Sequence, residues 1–514
     1  MRKFKLNNIK SFVESDEIEI KPLTFFVGKN SCGKSSLIRF PVVLAETFKE
    51  DISSPLLLFG DMLDYGNYDD VVYKHKSDSI GFTLEFGSEI SSGGMYRYIP
   101  YLYLKYGNGN SVESILQQID KVSIQVQITK PDRKMVIQDV RLNVNNRLIF
   151  KLELEEQTYN IYLVVETEGG NKEIKMEIDN TSMLRFNKFI PNLDIDEIMI
   201  KYIKNNSNYT DELKERYCAI IDESVLRQDE EKEQDYSEEE WYRVWGSLIV
   251  VRVCMAGIYR NMRRFSQEVS YVGPFRVNPK RTYRDSESNY DDVGVHGENV
   301  SMLLRQDAQK NRKLIQGVSK WFNDAMGYTI DIKEVGSGSS LYSLVVKNNS
   351  STDGIVEDNI IDVGYGISQV LPIVTQLLMN GVSADNIYER GFEQKKTFII
   401  EQPELHLHPA AQAELANLLA ESIKISRSRR VLVETHSEHL LRKLQVLIAN
   451  PDIDISSDQV AIYYVEKDES GDSHVRKMEI NNKGQFLEEW PSGFFDKSYE
   501  LSSELLYVNS KTKN

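Results

Sequence analysis

The sequence has little cysteine and no long apolar run. Its three cysteines, Cys32, Cys218 and Cys254, lack the paired spacing of a disulfide scaffold or a zinc ribbon, which excludes both. No window of about 18 apolar residues occurs, so the sequence predicts no span across a membrane. The first residues also lack the apolar core of a secretory signal peptide. We therefore expect a reduced, cytoplasmic protein.

Basic charge is in the minority, with 62 lysines and arginines against 78 aspartates and glutamates in 514 residues, a net charge of −16. This balance argues against a surface coated for nucleic-acid binding. Three local basic groups leave contact with DNA open, although scattered surface charge is the favoured explanation: Arg260–Arg264, Lys280–Arg284 and Arg427–Arg430. Apolar residues make up 41% of the chain, which excludes general disorder.

Periodicity divides the chain into four segments, where its length alone would suggest roughly three domains. Strands are predicted near Phe4–Leu6, Ile18–Ile20 and Leu23–Val27, before a glycine-bearing turn and a helix. Alternating apolar and polar residues from about Ile80 predict antiparallel β structure, and from about Leu193 the chain becomes helical and strongly charged. The predicted segments are 1–75, an antiparallel β segment at 76–185, a charged helical insertion at 186–268, and 269–514.

A glycine-bearing loop at residues 28–35, GKNSCGKS, fits G-x-x-x-x-G-K-[ST] between an apolar strand and an apolar helix start. Glycines let the backbone curl so that successive N–H groups point at a phosphate, and the helix N-terminus adds partial positive charge. Lys34 is expected to reach the β- and γ-phosphates, and the Ser35 hydroxyl to ligate Mg²⁺. Cys32 is better explained as a tolerated variable position than as a redox group. The predicted nucleotide-binding residues are Gly28, Asn30, Gly33, Lys34, Ser35 and Ser36.

A second apolar strand ends in acid at residues 397–404, TFIIEQPE. A carboxylate at a strand end beside a phosphate loop can hold magnesium, so Glu401 is predicted to do so. Gln402 follows, and an amide can position water but cannot take its proton. Three explanations remain open: a slow ATPase, which we favour, a base supplied by Glu404, or a clamp that rarely hydrolyses ATP.

Four of the seven histidines fall between residues 406 and 439. A zinc site is disfavoured because no thiolate joins them and the spacing is short of the usual form. A neutral imidazole at a strand end can instead donate a hydrogen bond to a γ-phosphate and report its presence. His436, after the apolar strand VLVE, is the candidate for this switch.

The turn at residues 362–369, DVGYGISQ, leads directly into an apolar helix. Ser368 is predicted to cap that helix, which would leave N–H groups free for an anion. A chain with one phosphate loop does not need a second anion-binding helix N-terminus for its own nucleotide. The economical explanation is that this end binds the γ-phosphate held by another copy; an ordinary capped helix is the alternative.

The motifs and their order along the chain resemble those of the ABC-type ATPase head that SMC proteins share with the overcoming-lysogenization-defect family. They are, in order, GKNSCGKSS, GYGISQ, FIIEQPELHLHP and VLVETHS. The sequence is more similar to bacterial single-chain AAA-like ATPases that carry EQPELHLHP and a WPSGFFD-like tail, here Trp490–Asp496. The resemblance covers about 1–75 and 270–496, with a variable insertion between. It implies an α/β P-loop ABC-type head, with a mixed central sheet, an antiparallel β subdomain and a helical/β insertion, that binds ATP and Mg²⁺.

The resemblance also implies roles for residues. Glu401 stands where the family usually has aspartate, and Gln402 where it has the catalytic glutamate, while His436 corresponds to the switch histidine. The Q-loop is expected within Phe59–Asp70. The signature that one copy would contribute to the ATP of another, in a homodimer, comprises Gly364, Gly366, Ser368 and Gln369.

Three functions follow as hypotheses. Such heads are similar to ATPase subunits of phage-defence systems, including Septu and retron-associated operons, in which a separate nuclease is the effector. A DNA-repair or DNA-clamp ATPase is the alternative that the same head would serve. A self-contained nuclease is weaker, because the only late acidic cluster, Glu466–Asp472, is short and predicts a hairpin turn.

Overall fold

The structure is a computed structural model. It describes residues 1–76, 78–90, 118–167, 170–178, 183–215, 218, 240–288, 290–336, 340–348, 356–379, 397–426, 428–491, 495, 500–505 and 508. Three features singled out in the sequence lie at least partly outside these residues: most of the acidic run at 228–245, Arg427, and much of the tail at 490–496.

The first half of the described chain is mostly strands, and strands and helices are mixed in the second half. The strands are β1 (Lys3–Ile9), β2 (Phe12–Glu14), β3 (Ile18–Glu19), β4 (Leu23–Gly28), β5 (Ser79–Gly87), β6 (Lys121–Thr129), β7 (Val136–Val144), β8 (Arg147–Glu155), β9 (Thr158–Thr167), β10 (Gly170–Ile178), β11 (Leu184–Asn187), β12 (Ile190–Leu193), β13 (Val269–Val272), β14 (Tyr283–Arg284), β15 (Tyr328–Glu334), β16 (Leu341–Asn348), β17 (Val356–Asn359), β18 (Thr397–Glu401), β19 (Arg430–Glu434), β20 (Val460–Lys467) and β21 (Ser473–Lys477). The helices are α1 (Lys34–Lys49), α2 (Tyr68–Val71), α3 (Ile195–Asn205), α4 (Glu240–Glu268), α5 (Val300–Lys310), α6 (Lys313–Met326), α7 (Tyr365–Met379), α8 (Pro409–Ile425) and α9 (Glu438–Ala449). No helix of the described residues is long and apolar enough to cross a membrane.

The first of two compact units comprises Met1–Glu19 and Val43–Gln267. Its main sheet is antiparallel and has the strand order β10-β9-β8-β7-β6-β5-β1-β2, with β3 paired to β1. Along β6 every second residue from Val122 to Ile128 is buried, because successive side chains of a strand point to opposite faces. This is the antiparallel β structure that the alternating sequence predicts.

The unit boundaries differ from the four predicted segments. Strand β1 pairs with β5 from Lys3 opposite Glu85 to Asn7 opposite Gly81, and these backbone hydrogen bonds join the first nineteen residues to the β-rich unit. The charged insertion is helical where it is described, in α3 and α4, and also contains most of the β11–β12 hairpin.

The second unit comprises Ile20–Val42 and Glu268–Asn514. Its central sheet has the order β13-β18-β19-β4-β20-β21, in which the neighbours from β13 to β20 are parallel and β21 is antiparallel. Strand β4 is buried at every position, as expected of a strand covered on both faces. Strand residues such as Phe25 and Val433 share one apolar core with Leu419 of α8 and Leu444 of α9.

Two smaller features complete this unit. An antiparallel sheet has the order β14-β16-β15, with β17 also on β16. The acidic cluster Glu466–Asp472 lies at the β20–β21 hairpin: Glu466 and Lys467 end β20, and the residues from Asp468 to Asp472 form the predicted turn. The fold is therefore α/β with a strand–loop–helix phosphate motif and an antiparallel β subdomain, which confirms the predicted fold class.

Candidate functional site

The phosphate loop lies between the end of β4 and the start of α1. Gly28 and Gly33 have φ of 144° and 104°, in the left-handed region that glycine tolerates. A Cβ at Gly28 would lie 2.1 Å from the carbonyl oxygen of Val465, so no larger residue fits without displacing the neighbouring strand. The loop therefore leads directly into the N-terminal end of α1, the end of a helix that carries partial positive charge and is suited to an anion.

Lys34 is held against the loop that it follows. Its side chain is 3% exposed, and Nζ donates hydrogen bonds to the carbonyl oxygens of Gly28 at 3.1 Å and Lys29 at 2.6 Å. The Sγ of Cys32 lies 3.7 Å from this ammonium, but burial raises the pKa of the thiol. Cys32 is thus a protonated, packed residue, in agreement with its interpretation as a tolerated loop position.

Asn30, Ser35 and Ser36 occupy three different positions around the loop. Asn30 is exposed at the tip, and Ser36 is half-buried in the first turn of α1. The Ser35 hydroxyl donates a hydrogen bond to Oε1 of Glu434 at 3.0 Å. The residue beside the predicted magnesium-binding hydroxyl is therefore Glu434, at the end of β19.

Glu434 is a buried carboxylate, 2% exposed. Burial, with the nearby charge of Glu401 as a further cause, raises the pKa of Glu434 to about 7. Its second oxygen, Oε2, has no hydrogen-bond partner among the described residues. Sequence reasoning did not select this residue, although the run VLVE repeats the apolar-strand-then-acid pattern of FIIE.

Glu401 lies at the end of β18, and both of its carboxylate oxygens accept hydrogen bonds. Arg39 of α1 donates from Nε to Oε1 at 2.7 Å and from Nη2 to Oε2 at 2.8 Å. The Tyr271 hydroxyl donates to Oε1 at 2.5 Å, and burial, followed by the nearby carboxylate, raises the pKa of this tyrosine. Neither Arg39 nor Tyr271 was selected from the sequence, because neither belongs to a recognised motif.

Gln402 begins the turn after β18 in the left-handed region, with a φ of 45°. Its N–H donates to the carbonyl oxygen of Glu434 at 2.8 Å, and its own carbonyl accepts from Arg276 at 3.3 Å. Arg276 is buried and also donates to the carbonyl oxygen of Glu401 at 2.6 Å; burial lowers the pKa of this guanidinium to about 10. The side chain of Gln402 is only partly buried, so it can face a ligand.

Glu404 and His436 are joined by a hydrogen bond. The backbone N–H of His436 donates to Oε1 of Glu404 at 2.6 Å, while Oε2 of Glu404 has no partner among the described residues. Burial raises the pKa of Glu404. Burial, followed by the charge of Lys34, lowers the pKa of His436 to about 4, so its imidazole is neutral near pH 7. Glu404 thus positions the turn that carries the switch candidate.

The predicted signature turn is only partly exposed. Helix α7 begins at Tyr365, and the hydroxyl of Ser368 donates to the carbonyl oxygen of Tyr365 at 2.8 Å inside the first turn. The prediction that Ser368 caps this helix is therefore wrong, because the helix starts three residues earlier. Ser368 and Gln369 are 8% and 3% exposed, whereas the surface of the motif is formed by Gly364–Gly366.

Gly364 and Gly366 line a cleft of 390 Å³ together with His406 and His408. A Cβ at Gly366 would lie 2.5 Å from the carbonyl oxygen of His406, so this glycine is needed for close approach, whereas Gly364 has no atom within 4 Å of such a Cβ. No group of three or more histidine, cysteine or acidic side chains in the described chain is placed to hold a metal.

The parallel strands bring the predicted site residues outside the signature turn to one edge of the sheet. Strands β4, β19 and β18 are neighbours, so the loop, His436 and the Glu401–Glu404 turn all follow their carboxyl ends, where open α/β sheets bind ligands. The loop with Lys34 fits a phosphate chain. Ser35 with the orphaned Oε2 of Glu434 fits a hard divalent cation that takes its other ligands from phosphates and water.

Residues 200–442 match the family model described as "AAA domain, putative AbiEii toxin, Type IV TA system". This part of the chain is similar to an AAA domain. The phosphate loop at 28–35 precedes the matched range. Residues 455–505 match a second family, described as a protein of unknown function (DUF3696). No curated protein matches the sequence.

Among solved structures, the chain is similar to the Smc head domain with an extended coiled coil bound to the C-terminal domain of ScpA from Pyrococcus furiosus. The identity is 12%, the TM-score 0.38, and the match covers 98% of each chain. The SMC head domain from Thermotoga maritima matches at 10% identity and a TM-score of 0.33, over 93% of this chain and 99% of that one. Likenesses this distant carry no argument about the site, which stands on the geometry above.

Proposed function

We propose that this protein binds ATP with Mg²⁺ and hydrolyses it slowly. The observation that carries the proposal is the loop itself, in which Gly28 and Gly33 shape a backbone cradle and the buried ammonium of Lys34 lies against it. An anion there gains the N–H groups and partial positive charge of the start of α1 as well as the charge of Lys34. A bound Mg²⁺ would neutralise charge on the phosphates.

Slow turnover is proposed because Gln402 stands where the motif resemblance places the catalytic glutamate. Gln402 can orient water through its amide but cannot accept the proton. Glu404 is buried, and one of its two carboxylate oxygens accepts a hydrogen bond from the N–H of His436. Phosphoryl transfer depends mostly on positioning and electrostatic stabilisation, so this arrangement still supports some turnover.

We further propose that the protein works as a homodimer in which ATP joins two copies. The exposed Gly364–Gly366 segment at the start of α7 offers backbone N–H groups to an anion held by the other copy. His436, neutral and beside the charge of Lys34, would report the γ-phosphate to Glu404 through the backbone.

The nucleotide state would gate a separate effector, a nuclease, in bacterial defence against phage. This part of the proposal rests on the motif resemblance and is supported by the family description of residues 200–442, which names a toxin of a toxin–antitoxin system. A nuclease within the chain itself is not favoured, because the acidic cluster Glu466–Asp472 only ends β20 and forms the turn that leads to β21.

The test of the ATP site is titration calorimetry of Lys34→Ala with ATP and Mg²⁺. Binding should be lost, because the change removes the ammonium facing the phosphates. Lys29→Ala is the matched control, since Lys29 is exposed in the same loop and contributes only its backbone carbonyl to Lys34. An unchanged affinity of the Lys34 variant would reject the site.

A second candidate, a DNA-contacting ATPase, is favoured by one face of α4. Four arginines are exposed there, and within the described part of the chain none of them has an ionic partner: Arg252, Arg260, Arg263 and Arg264. The acidic residues of this helix are Glu240 and Glu268, at its two ends. Of the other basic groups, Arg281 is paired with Asp362 and Arg429 is buried.

Anisotropy of a labelled DNA duplex would test this candidate. Changing Arg252, Arg260 and Arg263 to Gln should weaken binding at least about tenfold at physiological salt and lower the salt slope by about one for each lost phosphate contact. Arg133→Gln with Lys134→Gln, exposed between β6 and β7, is the control. Equal affinity of all three proteins would reject the candidate.

A further inference from the structure

Two glutamates end neighbouring strands beside the phosphate loop. Glu401 ends β18, Glu434 ends β19, and the two are direct partners in the parallel register. Strand β19 lies between β18 and the loop strand β4, and Glu434 pairs with Phe26, two residues before Gly28. Glu434 is therefore one strand closer to the loop than Glu401.

The contacts of Glu434 leave one ligand position open. Its Oε1 accepts the hydrogen bond of the Ser35 hydroxyl at 3.0 Å, and its Oε2 is buried without a partner among the described residues. A buried carboxylate oxygen that has lost its water without gaining a partner carries a free-energy cost. A cation beside Ser35 would remove that cost.

Both carboxylate oxygens of Glu401, by contrast, already have partners. Its Oε1 accepts hydrogen bonds from Arg39 Nε and the Tyr271 hydroxyl, and its Oε2 accepts from Arg39 Nη2. The guanidinium also neutralises the charge that would attract a cation. Ligation by Glu401 would require breaking a bidentate ion pair that is mostly buried.

We propose that Glu434, together with the hydroxyl of Ser35, holds the divalent cation of the bound nucleotide, and that Glu401 is a structural residue that does not contact the cation. This inference rests on the proposed binding of ATP. Magnesium prefers hard oxygen ligands and is usually held by one or two carboxylates together with phosphates and water, a set that Ser35 and Glu434 can complete. The sequence interpretation of Glu401 as the magnesium ligand would then be replaced.

The experiment measures Mn²⁺ rather than turnover. Electron paramagnetic resonance reports free Mn²⁺ as it is titrated into protein saturated with a non-hydrolysable ATP analogue. Three isosteric variants are compared with the wild type: Glu434→Gln, Glu401→Gln and Glu438→Gln, the last removing an equal charge at the start of α9. A fluorescent ATP analogue in EDTA measures nucleotide binding without metal for each protein, and circular dichroism confirms folding.

Glu434→Gln should raise the dissociation constant for Mn²⁺ at least about tenfold. Mutation even of residues that contact a metal only through its ligands typically lowers metal affinity about 10–100-fold. Binding of the nucleotide in EDTA should be unchanged, and the other two variants should hold Mn²⁺ as the wild type does. Loss of Mn²⁺ affinity in Glu401→Gln, alone or together with Glu434→Gln, would overturn the inference, as would no loss in either. Failure of the wild type to bind the analogue in EDTA would reject the ATP site itself, and the inference with it.

Discussion

Arg39 and Glu401 form a bidentate ion pair between α1 and the end of β18, with Nε–Oε1 and Nη2–Oε2 distances of 2.7 and 2.8 Å. The carboxylate is 2% exposed and the guanidinium 28%. A buried charge of this kind is tolerated only while its partner and hydrogen bonds are present. The pair therefore fixes Glu401 as a structural element of the site.

Replacing Arg39 by Met should lower the free energy of unfolding by about 3 kcal/mol, because it leaves a buried carboxylate without compensation. The double variant with Glu401→Met should regain much of that loss, since the uncompensated charge is then gone. Urea unfolding measures both. Arg2→Met is the control: its pair with Glu89 is exposed at 53% and 37%, and its loss should cost about 1 kcal/mol or less. Equal losses in the single and double variants would contradict this account.

Gln402→Glu should raise steady-state ATP hydrolysis at least about tenfold, because it supplies a carboxylate that can accept the proton of the attacking water. The side chain is partly exposed, so the added charge need not be buried. Phosphate release measures the rate, and Gln402→Ala shows what loss of the amide alone does. If turnover of the glutamate variant stays flat or falls, the base lies elsewhere, and Glu404→Gln becomes the next variant to measure.

A mixing experiment tests whether the signature acts between copies. A Lys34→Ala chain keeps its signature and a Gly364→Arg chain keeps its loop, so a mixed dimer retains one intact composite site. Gly364 is preferable to the buried Ser368 because it is exposed and a Cβ there meets no atom within 4 Å. In an equal mixture about half of the dimers are mixed, and each mixed dimer has one intact site of two. The mixture should therefore recover about a quarter of wild-type hydrolysis.

Each variant alone, and a mixture of two Lys34→Ala preparations, should stay inactive and serve as controls. Native mass spectrometry establishes that mixed dimers form. Mixed dimers without recovery would mean that the Gly364–Gly366 turn acts within its own chain.

His436 should make stability depend on pH in a defined direction. The pKa of its imidazole is lowered from about 6.5 to about 4 by burial and by Lys34, so between these values the unfolded chain binds a proton that the folded chain does not. The folded protein therefore has its full stability, as far as His436 is concerned, above pH 6.5, and it loses stability as the pH falls toward 4. Thermal unfolding at pH 7.5 and 5.8 should therefore show the wild type losing stability relative to His436→Gln as the pH falls.

The exposed His439→Gln variant, three residues along, shows how much the loss of a histidine changes this comparison by itself. A wild-type protein that gains stability relative to His436→Gln at the lower pH would contradict the neutral state of the half-buried His436 imidazole.

The sequence by itself determined the local elements of the site. The loop strand β4, the helix after it, and strands β18 and β19 were all predicted, because each combines an apolar run with a glycine turn or an acidic end at short range. The antiparallel sheet of the first unit followed from the alternation of apolar residues in the same way.

Strand order and long-range pairs were decided only by the tertiary structure. Strands β18 and β19 both end in glutamate, and nothing in the sequence says which is the neighbour of β4; the sheet puts Glu434, not Glu401, beside Ser35. Arg39 reaches Glu401 across 362 positions of sequence, and no motif predicts such a contact. The predicted start of α7 was also wrong. Ser368 is a residue type that often caps helices, but the helix begins at Tyr365. Short segments determine the strands, helices and loops of the site, because their signals lie within a few residues of one another. The neighbour of each charged group depends instead on how the whole chain packs.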